Sequence, residues 1–171
     1  MIILQVVGYQ NSGKTTLIEK IIKRLYTNGY RVGTLKHHGH SGKVALPKEK
    51  DTTRHAEAGA IVCAVEGDGT FLLHAKGSWE LDELLPIYER FSLDVLLIEG
   101  FKHAPYPKIV CLRSREDEHL LHLKNVLISI SWQRKDGSFF IEDEQAYMEH
   151  IIAYVKKEGK TCLPSFVSPF M

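Results

Sequence analysis

The sequence predicts an α/β protein whose mostly parallel β-sheet lies between two layers of helices, with one antiparallel hairpin strand in the sheet. Short β-branched apolar segments alternate with amphipathic helical segments along most of the chain, as in a parallel sheet with crossover helices. A glycine-rich loop separates the first strand-like segment from the first helical one. Another pair of strand-like segments is joined only by a tight glycine turn, which predicts the hairpin.

The glycine-rich loop runs from Gly8 to Thr15 and matches the phosphate-binding pattern G-x-x-x-x-G-K-[ST] at every constrained position. Residues 2–7 before it are mostly apolar and predict a buried strand. The apolar residues at 17–25 after it have the spacing of one helix face. A chance glycine turn before a helix is the alternative, but strand, loop and helix in this order favour a nucleoside-triphosphate site in a P-loop NTPase fold.

The loop supplies most of the predicted nucleotide-binding groups. Gly8 and Gly13 allow the backbone to curl so that successive N–H groups face phosphate oxygens. Lys14 can reach the β- and γ-phosphates and stabilise charge during hydrolysis, and the Thr15 hydroxyl is placed to bind Mg²⁺. The nucleotide-binding set predicted for this loop is Gly8, Gln10, Asn11, Ser12, Gly13, Lys14, Thr15 and Thr16.

The next segments predict further parts of the α/β pattern. Residues 30–36 predict a second strand, parallel to the first because a whole helix lies between them. Residues 37–50 predict a long loop at the carboxyl edge of the sheet, followed by a short helix at 51–59. The hairpin strands are 60–65 and 70–75. Ser78 is then predicted to cap a helix that reaches Phe91 and is kinked or shortened by Pro86.

An acidic residue ends the next strand. Residues 93–98 are mostly apolar and are followed by Glu99 and Gly100, the general form of a Walker B element whose carboxylate helps to hold Mg²⁺. A buried strand with a solvated carboxylate at its end is the alternative. Lys36 and Lys102 also follow strand ends at this edge and are candidates for a phosphate contact, with solvated lysines as the alternative.

Other candidate groups lie in the loop after the second strand and at its end. Asp51 is placed to approach Mg²⁺ and the attacking water, although an aspartate is also a good helix N-cap and both roles could hold. His37, His38 and His40 lack the helical pairing or cysteine partners of common zinc motifs. A polar loop is therefore the favoured interpretation of the three histidines.

The remaining chain predicts strands at 108–113, 126–130 and 139–141, a short helix within 114–124, and a last helix at 143–157. The tail from residue 159 has no periodicity and is expected to be loosely attached. Residues 129–131 follow a strand at the place where a base would lie, but they contain no carboxylate for guanine N1 and N2. Because no Asn-Lys-x-Asp tetrad occurs either, the residues alone leave the base undetermined.

Composition limits the possible classes of protein. The 171 residues fit a single domain, and a formal net charge of +1 gives no reason to expect nucleic acid or an anionic membrane as partner. No apolar run reaches the ~20 residues of a membrane span, and no basic segment of a secretory signal precedes the first strand. Three cysteines without metal-ligand spacing are typical of a reduced, cytoplasmic protein.

Several of these segments together resemble the MobB family, the molybdopterin-guanine dinucleotide biosynthesis protein B family. The segments are the Gly8–Thr15 loop, Lys36-His37-His38, Lys50-Asp51 before a helix ending Ala58-Gly59-Ala60, and Glu99-Gly100-Phe101-Lys102-His103. The resemblance covers most of residues 1–113, and Glu-Gly-Phe-Lys after an apolar strand is its most specific part.

The resemblance implies a GTP-binding protein with weak, Mg²⁺-dependent GTPase activity, usually a homodimer. It implies an adapter role for the MobA-type guanylyltransferase that joins GMP to molybdopterin. Lys14, Asp51 and Glu99 would then serve hydrolysis, Thr15, Asp51 and Glu99 would hold Mg²⁺, and Lys102 would join the nucleotide-binding set. A partner subunit or the last helix could cover the edge strand at 70–75.

Three other functions stay open from the residues. A small-molecule kinase would need a lid with paired arginines, whereas Arg54 and Arg113 are far apart in the sequence. A GTPase for insertion of another metal, such as nickel, would need a clear Cys/His ligand set, for which the His37–His40 segment is the only support. A nucleotide-binding module with vestigial hydrolysis is the third.

Overall fold

The computed structural model describes residues 1–38 and 51–160. This part of the chain contains eight strands and four α-helices. The strands are β1 (Ile2–Val7), β2 (Val32–Lys36), β3 (Val62–Gly67), β4 (Thr70–Ala75), β5 (Val95–Glu99), β6 (Lys108–Leu112), β7 (Val126–Ser131) and β8 (Phe139–Phe140). The α-helices are α1 (Lys14–Thr27), α2 (Asp51–Glu57), α3 (Leu81–Glu89) and α4 (Glu144–Lys160), and a 3₁₀ helix spans Arg115–His122.

Six strands form one sheet in the order β2-β5-β1-β6-β7-β8. Every neighbouring pair in it is parallel, so the carboxyl ends of all six strands meet at one edge, where open α/β sheets bind ligands. The predicted first and second strands are parallel, but β5 lies between them. The glycine-rich loop therefore leaves the sheet near its middle, with β5 on one side and β6 on the other.

Two helical layers cover the sheet and confirm the predicted fold class. On one face, α1 and α4 contribute Ile21, Leu25, Ile151 and Val155 to a core with Leu4 of β1, all fully buried. On the other face, Leu81 of α3 packs against Leu96 and Ile98 of β5. Among the residues described, no helix has both the length and the apolar character needed to cross a bilayer.

The hairpin forms as predicted but makes a sheet of its own. Strands β3 and β4 pair antiparallel from Val62–Ala75 to Gly67–Thr70, and Asp68 and Gly69 both have positive φ, 48° and 70°, as a two-residue type I′ turn requires. The prediction that one hairpin strand joins the main sheet is wrong. Strand β5 already fills the place between β2 and β1, so β3 finds its partner in β4 across the short turn.

Two helix boundaries also differ from the prediction. Helix α3 starts at Leu81 with Glu80 as its N-cap, in a reciprocal capping box with Glu83, and not with Ser78, because the box satisfies donors at both positions. Pro86 lies inside this helix, which continues to Glu89. At the other end of the chain, α4 continues through Gly159 to Lys160, so the prediction that an irregular tail begins at residue 159 is wrong. The rest of the predicted tail, 161–171, lies outside the described residues.

Candidate nucleotide-binding site

The loop between β1 and α1 needs glycine at Gly8 and at Gly13. A Cβ at Gly8 would lie 2.5 Å from Ser12 Oγ and 2.7 Å from the carbonyl oxygen of Cys111, so no side chain fits there. Gly13 has φ 86° and ψ 8° and is the N-cap of α1, a left-handed conformation that glycine adopts without steric cost. These two positions set the curl of the loop and direct the free N–H groups of the first turn of α1 toward it.

Two polar groups of the loop are in an arrangement suited to an anion. Lys14 Nζ donates a hydrogen bond of 2.7 Å to the carbonyl oxygen of Tyr9, so its ammonium lies over its own loop. Ser12 is 2% exposed, and its Oγ has no hydrogen-bond partner among the described atoms. A buried hydroxyl without a partner costs about 1–3 kcal/mol, and a bound phosphate oxygen is one group that could accept from it.

Thr15 and Glu99 come together at the mouth of the loop. Thr15 Oγ1 donates to Glu99 Oε2 over 3.3 Å, although the two residues are 84 positions apart in the sequence. Lys36 Nζ lies 3.2 Å from the other carboxylate oxygen, Oε1, and the Glu99 side chain is 11% exposed. The parallel pairing of β1 and β2 with β5 produces this cluster, because all three strands end at the same edge.

Gln5 of β1 connects this strand to the segment after β5 through hydrogen bonds. Its side-chain amide donates to the carbonyl oxygens of Gly100 (3.0 Å) and Phe101 (2.8 Å), and the His37 ring packs on Phe101 with ring centroids 4.2 Å apart. Lys102 follows directly, and its Nζ lies 5.4 Å from the centre of the Tyr9 ring. The structure thus brings Lys102 beside the phosphate loop.

Asp51 makes its ion pair within α2 and not with Thr15, Glu99 or Lys36. It begins α2, its side chain is 89% exposed, and its carboxylate lies 3.8 Å from Arg54 Nη1 in the same helix. Its role with Mg²⁺ or water stays a prediction. His37 and His38 are described, while His40 lies outside the described residues. Across 1–38 and 51–160, no three His, Cys, Asp or Glu side chains are grouped to hold a metal ion.

Sequence reasoning missed a buried carboxylate on the far side of the loop. Asp117, whose side chain is 3% exposed, accepts hydrogen bonds from the backbone N–H of Arg113 (2.9 Å) and from Arg113 Nε (3.4 Å). Burial acts to raise the pKa of Asp117, but the hydrogen bonds and charge of Arg113 outweigh it and hold this pKa below its usual value. Asp117 therefore fixes the chain where it leaves β6.

A tyrosine and a histidine complete this side of the loop. Tyr9 Oη and His119 Nε2 are 2.8 Å apart, and His119 Nδ1 lies 2.7 Å from the carbonyl oxygen of Glu116 in the 3₁₀ helix. The sequence signal for Gln5 is a polar residue within a strand that is otherwise mostly apolar. Asp117 lies in the 3₁₀ helix after β6, within a charged segment that gives no sign of its burial.

A family model and curated relatives of the chain have one description in common. A sequence model of the family "molybdopterin guanine dinucleotide synthesis protein B" matches residues 3–132. A Bacillus subtilis protein described as a probable molybdopterin-guanine dinucleotide biosynthesis adapter protein is 43% identical, over 92% of this chain and 95% of its own length. A Haemophilus influenzae adapter protein of the same description is 33% identical, over 75% of this chain and 73% of its own.

Solved structures agree with these relatives. The crystal structure of a MobB homologue from Bacillus stearothermophilus superposes with a TM-score of 0.76 at 37% identity, covering 92% of this chain and 99% of the other. That of Bacillus subtilis MobB gives 0.76 at 41% identity, covering 90% and 97%. The glycine-rich loop, the carboxylate at the end of β5 and these similarities lead to one conclusion: the chain belongs to the molybdopterin guanine dinucleotide synthesis protein B family.

Proposed function

We propose that this protein binds GTP with Mg²⁺ at the Gly8–Thr15 loop, hydrolyses it slowly, and acts as an adapter in the formation of molybdopterin guanine dinucleotide. The observation that carries the proposal is the contact of the Thr15 hydroxyl with the Glu99 carboxylate, 3.3 Å, at the mouth of a phosphate loop. A structural glycine turn before a helix would need no carboxylate at that point.

Binding of the triphosphate follows from the groups already in place. The amides of the loop and the positive end of α1 attract phosphate oxygens. Lys14 would exchange the Tyr9 carbonyl oxygen for a phosphate oxygen, gaining a charge-assisted hydrogen bond in place of a neutral acceptor. Lys102 adds a second positive charge close to the loop, beside Tyr9.

The oxygen atoms near the loop fit a magnesium ion. Thr15 Oγ1 and Glu99 Oε2 are hard oxygen donors close to each other, which is the donor type that Mg²⁺ prefers. Lys36 partly neutralises Glu99, which lowers the cost of keeping a nearly buried carboxylate charged. Bound there, Mg²⁺ would neutralise charge on the β- and γ-phosphates. Asp51 would complete the site from α2, with the attacking water as its second role.

Slow turnover follows from the lack of a catalytic arginine in the described part of the site. Arg54 lies near Asp51 of its own helix, and Arg113 pairs with Asp117. An arginine that contacts the transferring phosphoryl group is worth about 10³–10⁵ in rate. Charge stabilisation would rest on Lys14 and the loop amides, which agrees with an adapter that uses GTP mainly as a bound state.

The partners are proposed from the relatives and from the hairpin. The relatives' names describe adapters in molybdopterin-guanine dinucleotide biosynthesis, so a MobA-type guanylyltransferase and molybdopterin are the expected partners, in the cytoplasm. A second copy of this chain is proposed to cover the hairpin. The exposed apolar side chains in and next to the hairpin are Ile61, Val62, Val65, Phe71, Leu72 and Leu73. Sedimentation of a clean monomer at micromolar concentration would contradict the homodimer.

Calorimetric titration with GTP, in Mg²⁺ and in EDTA, tests nucleotide binding. We expect EDTA to lower the affinity at least about tenfold, and Glu99→Gln to remove this Mg²⁺ dependence because the metal loses a charged ligand. Glu19→Gln, an exposed change on α1, is the matched control and should behave like the parent. No GTP binding, or equal affinity with and without Mg²⁺, would overturn the proposal.

The adapter role needs a separate assay. Guanylyltransferase, molybdopterin and Mg²⁺-GTP are mixed with and without this protein, and the guanine dinucleotide product is measured. We expect more product with the parent protein and no increase with Lys14→Met. An unchanged yield in the presence of the parent protein would contradict the adapter role while leaving GTP binding intact.

A further inference from the structure

A small cavity opens directly beside the phosphate loop, on the side of α1 and α4. It has a volume of about 190 Å³, less than the ~300–1,000 Å³ of a pocket for a whole drug-sized ligand, so it has room for one part of a larger molecule. Ser12, Gly13 and Thr16 form the wall nearest the loop. Most of the other lining side chains are apolar: Leu17, Cys111, Ile130, Trp132, Ile141 and Tyr147.

Trp132 is the side chain of this cavity best placed to hold a flat ring. It follows directly after β7, so its position depends on the same sheet edge as the loop. Its indole N–H donates to the carbonyl oxygen of Ser12 over 3.3 Å, which fixes the ring against the phosphate loop. The residue is nevertheless 49% exposed, so part of the indole is open for stacking, and aromatic side chains stack on any base.

One lysine in the wall of this cavity pairs with a carboxylate of α4. Lys20, which lines it, donates to Glu144 Oε2 over 2.6 Å, and the side chains are 40% and 46% exposed. This hydrogen bond raises the pKa of Lys20, so the ammonium stays charged. A carboxylate accepts from neighbouring N–H groups and an ammonium donates to an oxygen. Guanine offers both, with donors at N1 and N2 and an acceptor at O6.

We propose that the cavity beside Ser12 and Gly13 is the base subsite of the bound nucleotide, with the base stacked on Trp132 and read by Glu144 and Lys20. Glu144 accepts from guanine N1–H and the N2 amino group, and Lys20 donates to O6. This rests on the proposed binding of a nucleoside triphosphate at the loop. It supplies the carboxylate that residues 129–131 lack, from the first turn of α4.

Tryptophan fluorescence reports stacking directly. The chain has two tryptophans, and Trp79→Phe leaves Trp132 as the single emitter without touching the cavity. Titration of this variant with Mg²⁺-GTP should quench the emission, while Mg²⁺ with inorganic tripolyphosphate, which has no base, should leave it nearly unchanged. Equal responses to both probes, or no response to GTP that calorimetry shows to be bound, would overturn the subsite.

Affinities of variants separate the subsite from the loop. Trp132→Ala should weaken GTP by about 5- to 150-fold, the range for loss of one stacked base, and leave tripolyphosphate binding unchanged. Trp132→Phe keeps a stacking ring but loses the hydrogen bond to Ser12, and should retain most of the GTP affinity. If Trp132→Ala weakens both probes equally, the tryptophan supports the loop and not a base, and if it weakens neither, the tryptophan contacts no part of the nucleotide; either result contradicts the subsite.

Base reading is tested with inosine triphosphate, which lacks the N2 amino group. The parent should prefer GTP over inosine triphosphate by about tenfold, as expected for one charge-assisted hydrogen bond, and Glu144→Gln should remove most of this preference. Glu149→Gln, on the same helix and hydrogen-bonded to Gln145, is the control and should keep it. A preference that survives Glu144→Gln contradicts the reading. If the parent binds neither GTP nor tripolyphosphate, nucleotide binding itself fails.

Discussion

Replacing Gly8 by alanine tests whether close packing beneath the phosphate loop sets its shape. The added Cβ would lie 2.5 Å from Ser12 Oγ and 2.7 Å from the Cys111 carbonyl oxygen, well inside the ~3.5–4.0 Å of a comfortable carbon contact. The Ser12 hydroxyl can rotate away. The Cys111 carbonyl cannot, because it belongs to β6, which pairs with β1 and β7 on either side.

Overpacking of this kind costs about 1–3 kcal/mol in the free energy of unfolding. At about 2–4 °C per kcal/mol for a chain of this size, the melting temperature of Gly8→Ala should fall by about 2–12 °C. The loop must also shift to make room, so its amides lose their alignment and GTP affinity should fall at least about tenfold. Urea and thermal denaturation followed by circular dichroism measure the loss of stability. GTP calorimetry measures the loss of affinity.

Gly67→Ala is the matched control, because a Cβ at Gly67 meets nothing within 4 Å. It should leave the free energy of unfolding and the GTP affinity close to those of the parent. The double variant Gly8→Ala with Ser12→Gly should recover little, since the Cys111 carbonyl still blocks the Cβ. Parent-like stability and GTP binding in Gly8→Ala would refute the packing argument.

Three further predictions follow from single side chains. Lys14→Met should weaken GTP about 30- to 100-fold by calorimetry, with stability within about 0.5 kcal/mol of the parent because the ammonium is exposed; unchanged affinity would exclude Lys14 from the site. Asp117→Asn should cost roughly 1 kcal/mol at pH 7. Since the pKa of Asp117 is lowered on folding, its stabilisation is present above the unfolded pKa of about 3.9 and lost as the pH falls through the folded value. Urea denaturation should show the deficit shrinking toward pH 3, and a pH-independent deficit would contradict this. Burial raises the pKa of Cys111 to about 12, so iodoacetamide at pH 8 should modify it about 1,000-fold more slowly than in urea-unfolded protein, as read by mass spectrometry; equal rates would contradict its burial.

Local patterns were enough to predict much of the fold. The phosphate loop, the strand ending at Glu99 and the amphipathic face of α1 each depend on near neighbours in the sequence, and each is found where it was predicted. The hairpin register follows from its two-residue turn at Asp68-Gly69. The family resemblance, carried by residues 1–113, agrees with the family match over 3–132.

The features that the sequence did not predict depend on contacts between distant segments. The sequence does not say that β5 takes the place beside β2 and β1, which leaves β3 and β4 as a separate sheet. The sequence also does not predict that Glu144 contacts Lys20, which lies 124 residues earlier, or that Trp132 contacts Ser12. The first contact needs α4 to pack beside α1, and the second needs the end of β7 to lie beside the loop before α1. Both arrangements depend on the packing of the whole core and not on any motif.

Competition for a fluorescent GTP analogue bound with Mg²⁺ tests the central claim most directly. Unlabelled GTP, GDP and ATP are added as competitors to the parent protein at fixed ionic strength. The account predicts clear displacement by the guanine nucleotides at concentrations where ATP has little effect. Displacement by ATP as good as, or better than, that by GTP would contradict a GTP-binding protein and favour a kinase on the same fold.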